Sequence, residues 1–132
     1  MALNRSELRE KIMVILYQID ICEDRKIDYN IDEIIRKNVE IENEFVKDIV
    51  YGVTTHKSAL DDLANKYMVD WTIERLDKTG ASILRMAIYE LKYFDTPDIV
   101  VINEAIELAK KYSDESVRKI INAVLDKLIK ES

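Results

Sequence analysis

Residues 5–22 read RSELREKIMVILYQIDIC, and this stretch decides the fold class. Its apolar side chains recur at steps of three and four, the spacing of one buried face of an α-helix. The inward positions are Leu8, Ile12, Ile15, Ile19 and Cys22. The rest of the chain repeats this spacing, and only 2 Gly and 1 Pro are available for tight turns. The sequence therefore predicts an all-α protein.

About seven helical stretches are predicted along the chain, separated by short polar connections. They are residues 5–22, a short helix after Asn30, a periodic run over 45–67 with a break near 56–58, a helix capped by Asp70, residues 79–94, a helix opened by Thr96 and Pro97, and residues 117–128. Two helical halves of one compact domain follow from this pattern, residues 1–70 and residues 71–132.

Length and composition exclude several classes of protein. A chain of 132 residues that is 48% hydrophobic can bury a core, so intrinsic disorder is not expected. The longest apolar run, residues 12–17, is far shorter than the roughly 20 residues of a membrane span. No secretory signal is visible, and one cysteine, Cys22, fits a reducing compartment, so we expect a cytoplasmic protein without a membrane partner.

The charge pattern argues against binding nucleic acid through bulk electrostatics. The net charge is −6, and residues 21–65 hold 11 acidic against 6 basic side chains. The ends of the chain are close to neutral, so any basic patch must be local.

The sequence lacks the groups of residues that enzymes usually need for catalysis. His56 and Cys22 are single and distant in sequence, and no second histidine could orient His56. No cluster has the spacing of zinc ligands, and two isolated glycines exclude the dinucleotide and phosphate-loop fingerprints. We therefore expect no enzyme activity, no metal site and no cofactor.

The first helix carries a row that suggests RNA binding. Arg5, Arg9, Met13 and Tyr17 are four residues apart and should form one ridge beside the apolar face. Guanidinium groups could hold phosphates while the tyrosine ring stacks on a base. Two arginines lying over a core beside a half-buried tyrosine would explain the same spacing, and periodicity alone favours that interpretation. A second basic cluster surrounds a turn near the C-terminus: Lys110, Lys111, Arg118 and Lys119. Together with Tyr112 it could bind an anion, but helix-dipole contacts of Lys110 and Lys111 and ordinary surface charge are the favoured explanation.

Several segments, in order along nearly the whole chain, resemble the NusB family of bacterial transcription antitermination factors. They are RSELREK at 5–11, LYQID at 16–20, residues 45–53, Trp71 with Glu74-Arg75-Leu76, ILRMAIYEL at 83–91, Thr96-Pro97, VINEAIELAK at 101–110, Lys119 and NAVLDK at 122–127. Two departures are visible: Ser6 and Glu7 dilute the arginine run, and Ile120 and Ala123 stand where the family usually has Phe and Gly.

This resemblance implies a fold of two perpendicular three-helix bundles. It also implies binding to the boxA element of ribosomal RNA transcripts together with the ribosomal protein NusE, and loading of an antitermination complex onto RNA polymerase. By position, the RNA-binding residues would be Arg5, Arg9, Tyr17, Asn103 and Lys119. Glu74 and Arg85 would contact the partner protein, although an intrachain salt bridge explains Arg85 equally well.

Two other functions remain open from the sequence. One is a helical adaptor that binds only proteins, with an incidental arginine ridge. The other is an isolated N-terminal-type module of a ribosomal RNA cytosine methyltransferase, a class whose complete enzymes also need a Gly-rich cofactor domain and a catalytic cysteine. The free protein could be a monomer or a homodimer, because the resembling family varies in this respect.

Overall fold

The computed structural model describes residues 2–131, which contain seven α-helices, one 3-10 turn and no β-strand. The helices are α1 (Arg5–Asp24), α2 (Ile31–Asn38), α3 (Glu44–Thr55), α4 (Lys57–Lys66), α5 (Lys78–Tyr93), α6 (Asp98–Tyr112) and α7 (Glu115–Glu131), and the 3-10 turn is Ile73–Arg75. The all-α prediction is confirmed. None of these helices has the length and hydropathy to cross a membrane.

Asparagine side chains begin the first three helices. Asn4, Asn30 and Asn43 each accept a hydrogen bond from the backbone N–H three residues later, which satisfies a donor that has no partner within the helix. At α1 the cap is reciprocal, because Glu7 accepts a hydrogen bond from the Asn4 backbone. These caps fix where α1, α2 and α3 begin.

Helix α5 lies at the centre of the molecule and packs against α1, α3, α4, α6 and α7. Every residue from 80 to 90 is buried, including the polar side chains Ser82, Arg85 and Glu90. The helix is therefore enclosed on all sides, whereas its apolar spacing predicted one inward face. Because helices of both halves pack on it, the buried residues form one continuous hydrophobic cluster. The division at residue 70 remains a prediction.

Of three local expectations, one is confirmed and two are wrong. The predicted break near residues 56–58 is present, since α3 ends at Thr55 and α4 begins at Lys57. Asp70 does not cap a helix: it has a φ of 58°, and only the single 3-10 turn follows. The capping aspartate is Asp77, whose side chain accepts a hydrogen bond from Gly80 at the start of α5. Thr96 is not the cap of α6, because that position belongs to Pro97.

Candidate nucleic-acid interface

Arg5, the first residue of α1, is an exposed cation supported by an aromatic ring. Its guanidinium carbon lies 3.9 Å from the ring centroid of Phe45, a buried residue at the start of α3. This cation–π contact holds the guanidinium against the ring, and no intrachain hydrogen bond of that group is found within residues 2–131. Arg5 is therefore an oriented cation whose N–H groups can still donate to a phosphate.

Arg9 does not lie on the exposed ridge that its spacing predicted. Only 5% of the residue is exposed, and its Nε and Nη2 atoms donate to the two carboxylate oxygens of Glu90 at 2.9 and 2.7 Å. Nη1 donates to Glu104 at 3.2 Å. The hydrogen bond to Glu90 raises the pKa of Arg9 against the opposing effect of burial. The expected phosphate contact of Arg9 is thus corrected: its charge is already satisfied inside the protein.

The ridge is interrupted as a consequence. Met13 is buried as well, while Tyr17 is 39% exposed. Since α-helices rise about 1.5 Å per residue, Arg5 and Tyr17 are about 18 Å apart along α1. They are two separate exposed positions rather than the ends of one continuous row.

Asn103 lies on α6 at the level of the beginning of α1. The adjacent Glu104 accepts hydrogen bonds from both Ser6 and Arg9, which ties this part of α6 to the first turns of α1. Asn103 itself is exposed. Lys119, in contrast, lies on α7 and pairs with Glu115 at 3.4 Å. The structure therefore brings Asn103 near the N-terminal part of α1, whereas Lys119 pairs within α7.

The predicted basic cluster near the C-terminus is neutralised by acidic neighbours. The Lys111 Nζ atom lies 2.8 Å from a carboxylate oxygen of Glu10, and the Tyr112 hydroxyl donates to the same oxygen at 2.8 Å. These two hydrogen bonds lower the pKa of Glu10. The other members of the cluster pair within their own helices: Lys110 with Glu107, and Arg118 and Lys119 with Glu115. Each of these cations therefore has an acidic neighbour, and the lysines of the last pairs stay exposed at the surface.

The two partner-contact candidates differ sharply in exposure. Glu74 lies exposed in the 3-10 turn. Arg85 is 7% exposed and donates to both carboxylate oxygens of Asp61 at 2.7 and 3.1 Å, with Asp20 3.5 Å away. The intrachain salt bridge, one of the two alternatives for Arg85, is therefore present, and the expected partner contact is corrected on that ground. Its guanidinium joins α5 to α4 and α1.

A set of contacting aromatic rings extends from Phe45, beside Arg5, to a triangle formed by Tyr89, Tyr93 and His56, and the sequence alone did not reveal it. We call it the ring ladder. Consecutive ring centroids lie 5.5, 6.2, 4.7 and 5.5 Å apart along the order Phe45, Phe94, Tyr89, Tyr93 and His56. Such separations are typical of aromatic pairs. The spacing of Tyr89 and Tyr93 by four residues was the available signal, because it places both rings on one face of α5.

Gly52 makes the ladder possible. A Cβ atom at this position would lie 2.0 Å from Cζ of Tyr89, so only glycine lets that ring lie against α3. The Tyr89 hydroxyl donates to Asp48 at 3.0 Å. Burial, together with this hydrogen bond, raises the pKa of Tyr89 to about 12. The ring is therefore fixed in position by both α3 and α5.

No group of three or more His, Cys, Asp or Glu side chains within residues 2–131 could hold a metal ion. Buried side-chain nitrogen and oxygen atoms in the same range all have hydrogen-bond partners.

Comparisons with known proteins agree with the fold and with the sequence pattern. The model of the NusB family matches residues 6–130. A transcription antitermination protein NusB from Pediococcus pentosaceus is 39% identical over 98% of this chain and 100% of its own length. The corresponding protein of Staphylococcus aureus strain JH9 is 41% identical over 97% of this chain and 100% of its own.

Solved structures give the same result. NusB of T. maritima superposes with a TM-score of 0.83 at 32% identity, covering 99% of this chain and 94% of that one. A chain from a crystal structure of the antitermination factors NusB and NusE in complex with dsRNA superposes with a TM-score of 0.81 at 27% identity, covering 97% of both chains. With a matching family model and relatives of this identity over almost the whole length, the chain belongs to the NusB family.

Proposed function

We propose that this protein is an RNA-binding transcription antitermination factor that acts together with the ribosomal protein NusE. The observation that carries the proposal is full-length similarity to NusB proteins, including a chain solved with NusE and dsRNA. Its RNA target is the boxA element of ribosomal RNA transcripts, and its role is to help load the antitermination complex onto RNA polymerase in the cytoplasm. The role is one of assembly and involves no catalysis.

The partner is needed for electrostatic reasons. The chain has a net charge of −6, which opposes a polyanion, because its 20 lysines and arginines are outnumbered by 26 acidic side chains. A basic partner would supply the missing positive charge. RNA affinity should therefore rise at least tenfold with the partner, or about 1.4 kcal/mol of binding free energy.

Arg5 is the RNA contact that the geometry supports best. Its exposed guanidinium is oriented by Phe45, and Asn103 lies on the part of α6 that packs against the same end of α1. Tyr17 is proposed as a base-stacking position further along α1, and Lys119 as a weaker phosphate contact. Glu74 remains the proposed contact to the partner protein. Arg9 and Arg85 support the fold under these contacts.

The test is a titration of boxA-type RNA, single-stranded and duplex, with and without NusE. Arg5→Ala is compared with Arg25→Ala, which removes an exposed arginine just beyond the other end of α1. On a single strand, loss of one phosphate contact should reduce the slope of log affinity against log salt by about 0.7. Arg25→Ala should leave both slope and affinity unchanged.

Tyr17→Ala should weaken binding with little change in that slope, since stacking involves no counterion release. A parent protein that binds none of these RNAs in the presence of NusE would refute the proposed function. Equal behaviour of the two arginine variants would refute only the assignment of Arg5.

A further inference from the structure

We propose that His56 and Tyr93, the exposed end of the ring ladder, form a stacking site for an unpaired base of RNA. This inference rests on the proposed function and extends the RNA-binding surface away from α1. It concerns the turn between α3 and α4 and the last turn of α5.

The rings at this end are arranged as a stacking platform. The His56 and Tyr93 centroids are 5.5 Å apart with an angle of 22° between the ring planes, and His56 and Tyr89 are within 24° of parallel. Buried aromatic clusters often pack edge to face, as Phe45 and Phe94 do here at 83°. A nucleobase can stack on an exposed ring that is itself nearly parallel to the ring beside it.

The two rings at this end of the ring ladder are accessible to a ligand. Tyr93 is 52% exposed and His56 is also exposed, whereas Tyr89 behind them is buried. The ring planes are held from below by Tyr89, which is itself fixed by Gly52 and Asp48. A base that stacks here would meet rings that need little further ordering, which lowers the entropic cost of binding.

One exposed lysine, Lys92, is available beside the platform for the phosphate of a stacked nucleotide. The Lys92 Nζ atom is 5.8 Å from the Tyr93 ring centroid and can approach a phosphate next to a stacked base. Two exposed acids are also close in structure or sequence: Asp48 accepts the hydrogen bond of Tyr89, and Asp95 follows Tyr93 by two residues. Lys57, which follows His56, pairs with Asp20 and contributes little free charge.

The ladder joins this platform to the proposed phosphate contact. Its first ring, Phe45, supports the Arg5 guanidinium, and its last two rings are the exposed pair. One strand that reaches both ends of the ring ladder would place a phosphate at Arg5 and a base at Tyr93. Aromatic platforms beside cations are the usual means of holding unpaired RNA.

Tyr112 provides a matched control within the same chain. It ends α6 as Tyr93 ends α5, it is 41% exposed, and a lysine precedes it with Nζ 5.3 Å from the ring. It differs in having no ring partner among residues 2–131, and its hydroxyl is engaged by Glu10. Substituting either tyrosine removes a similar area of exposed ring.

The experiment uses the full chain with NusE and a single-stranded boxA-type RNA carrying 2-aminopurine at one position at a time. With the parent, fluorescence should be quenched at one position by stacking on Tyr93. Tyr93→Leu should restore that fluorescence and weaken binding about fivefold or more. Tyr93→Phe should keep the quenching and the RNA affinity of the parent, and Tyr112→Leu should match the parent in both. Circular dichroism and thermal unfolding establish that each variant is folded.

Two results would overturn the inference while leaving the proposed function intact. The first is an RNA affinity for Tyr93→Leu equal to that for Tyr112→Leu. The second is a loss of NusE binding by Tyr93→Leu, measured without RNA, because the rings would then belong to a protein contact. If the parent with NusE binds no RNA at all, the proposed function fails, and this result is distinct from the other two.

Discussion

Removing Glu90 should destabilise the protein strongly, because this carboxylate neutralises a buried arginine. Glu90 is 2% exposed and accepts two hydrogen bonds from Arg9. Glu90→Leu leaves the Arg9 charge inside the protein with only Glu104, 3.2 Å away, as partner. Breaking a buried pair by removing one member costs about 3–5 kcal/mol, and the remaining carboxylate places the expected loss near about 3 kcal/mol.

The double variant Arg9→Met with Glu90→Leu separates charge from packing. Both buried charges are then absent, and side chains of similar length fill the space. Replacing a buried ion pair with apolar residues is often close to neutral, so the double variant should recover most of the free energy lost in the single one. Asp126→Asn is the control, since it breaks the exposed pair of Asp126 and Lys130 and should change stability by less than about 1 kcal/mol.

Urea denaturation followed by circular dichroism measures these free energies, provided that the slope against urea is the same in all variants. A Glu90→Leu variant within about 1 kcal/mol of the parent would contradict the reasoning. So would a double variant as unstable as the single one, because the loss would then come from packing rather than from an unpaired charge.

Two further predictions concern other buried contacts. Burial alone would raise the pKa of Asp20, but the hydrogen bond from Lys57 and the charges of Lys57 and Arg85 hold it below the ordinary value of 3.8. The ionised Asp20 therefore stabilises the protein above about pH 4, and this stabilisation is lost at lower pH. Asp20→Asn should be less stable than the parent at pH 7, and the difference in unfolding free energy should shrink below about pH 4. A difference that stays constant from pH 7 to pH 3 would contradict this prediction. Gly52→Ala should lower the unfolding free energy measured in urea by about 1–3 kcal/mol, because its Cβ would overlap the Tyr89 ring. A shorter side chain at position 89 should reduce that loss. If the losses of the two single variants simply add in the double variant, the clash is not the cause.

The helices could be predicted from the sequence because burial of apolar residues at helical spacing leaves a strong local signal. The inward positions Leu8, Ile12, Ile15 and Ile19 are all buried. Cys22 is only half-buried, because it lies near the end of α1. The central place of α5 was harder to predict, since periodicity assigns one inward face and cannot show that helices cover every side.

The candidate site was only partly predictable for a related reason. The spacing of Arg5 and Arg9 is the same whether a guanidinium faces solvent or a buried carboxylate, and Glu90 is 81 residues away in sequence. A glutamate directly after residues 86–89 of α5, which read MAIY, was the one local hint of that pair. The ring ladder depends on three elements meeting in space, so neither Phe45 nor His56 could be assigned to it from local spacing.

The contacts of α1 also set an order of events during synthesis on the ribosome. Ser6, Arg9 and Glu10 find their partners 98, 81 and 101 residues later in the chain. At about 5–20 residues per second, Glu90 is made roughly 4–16 seconds after Arg9. During that interval the first helix has no partner for its arginine and none of the surface that α5 and α6 later provide. The nascent chain therefore completes its core late, and the first helix made is among the last to be fully enclosed.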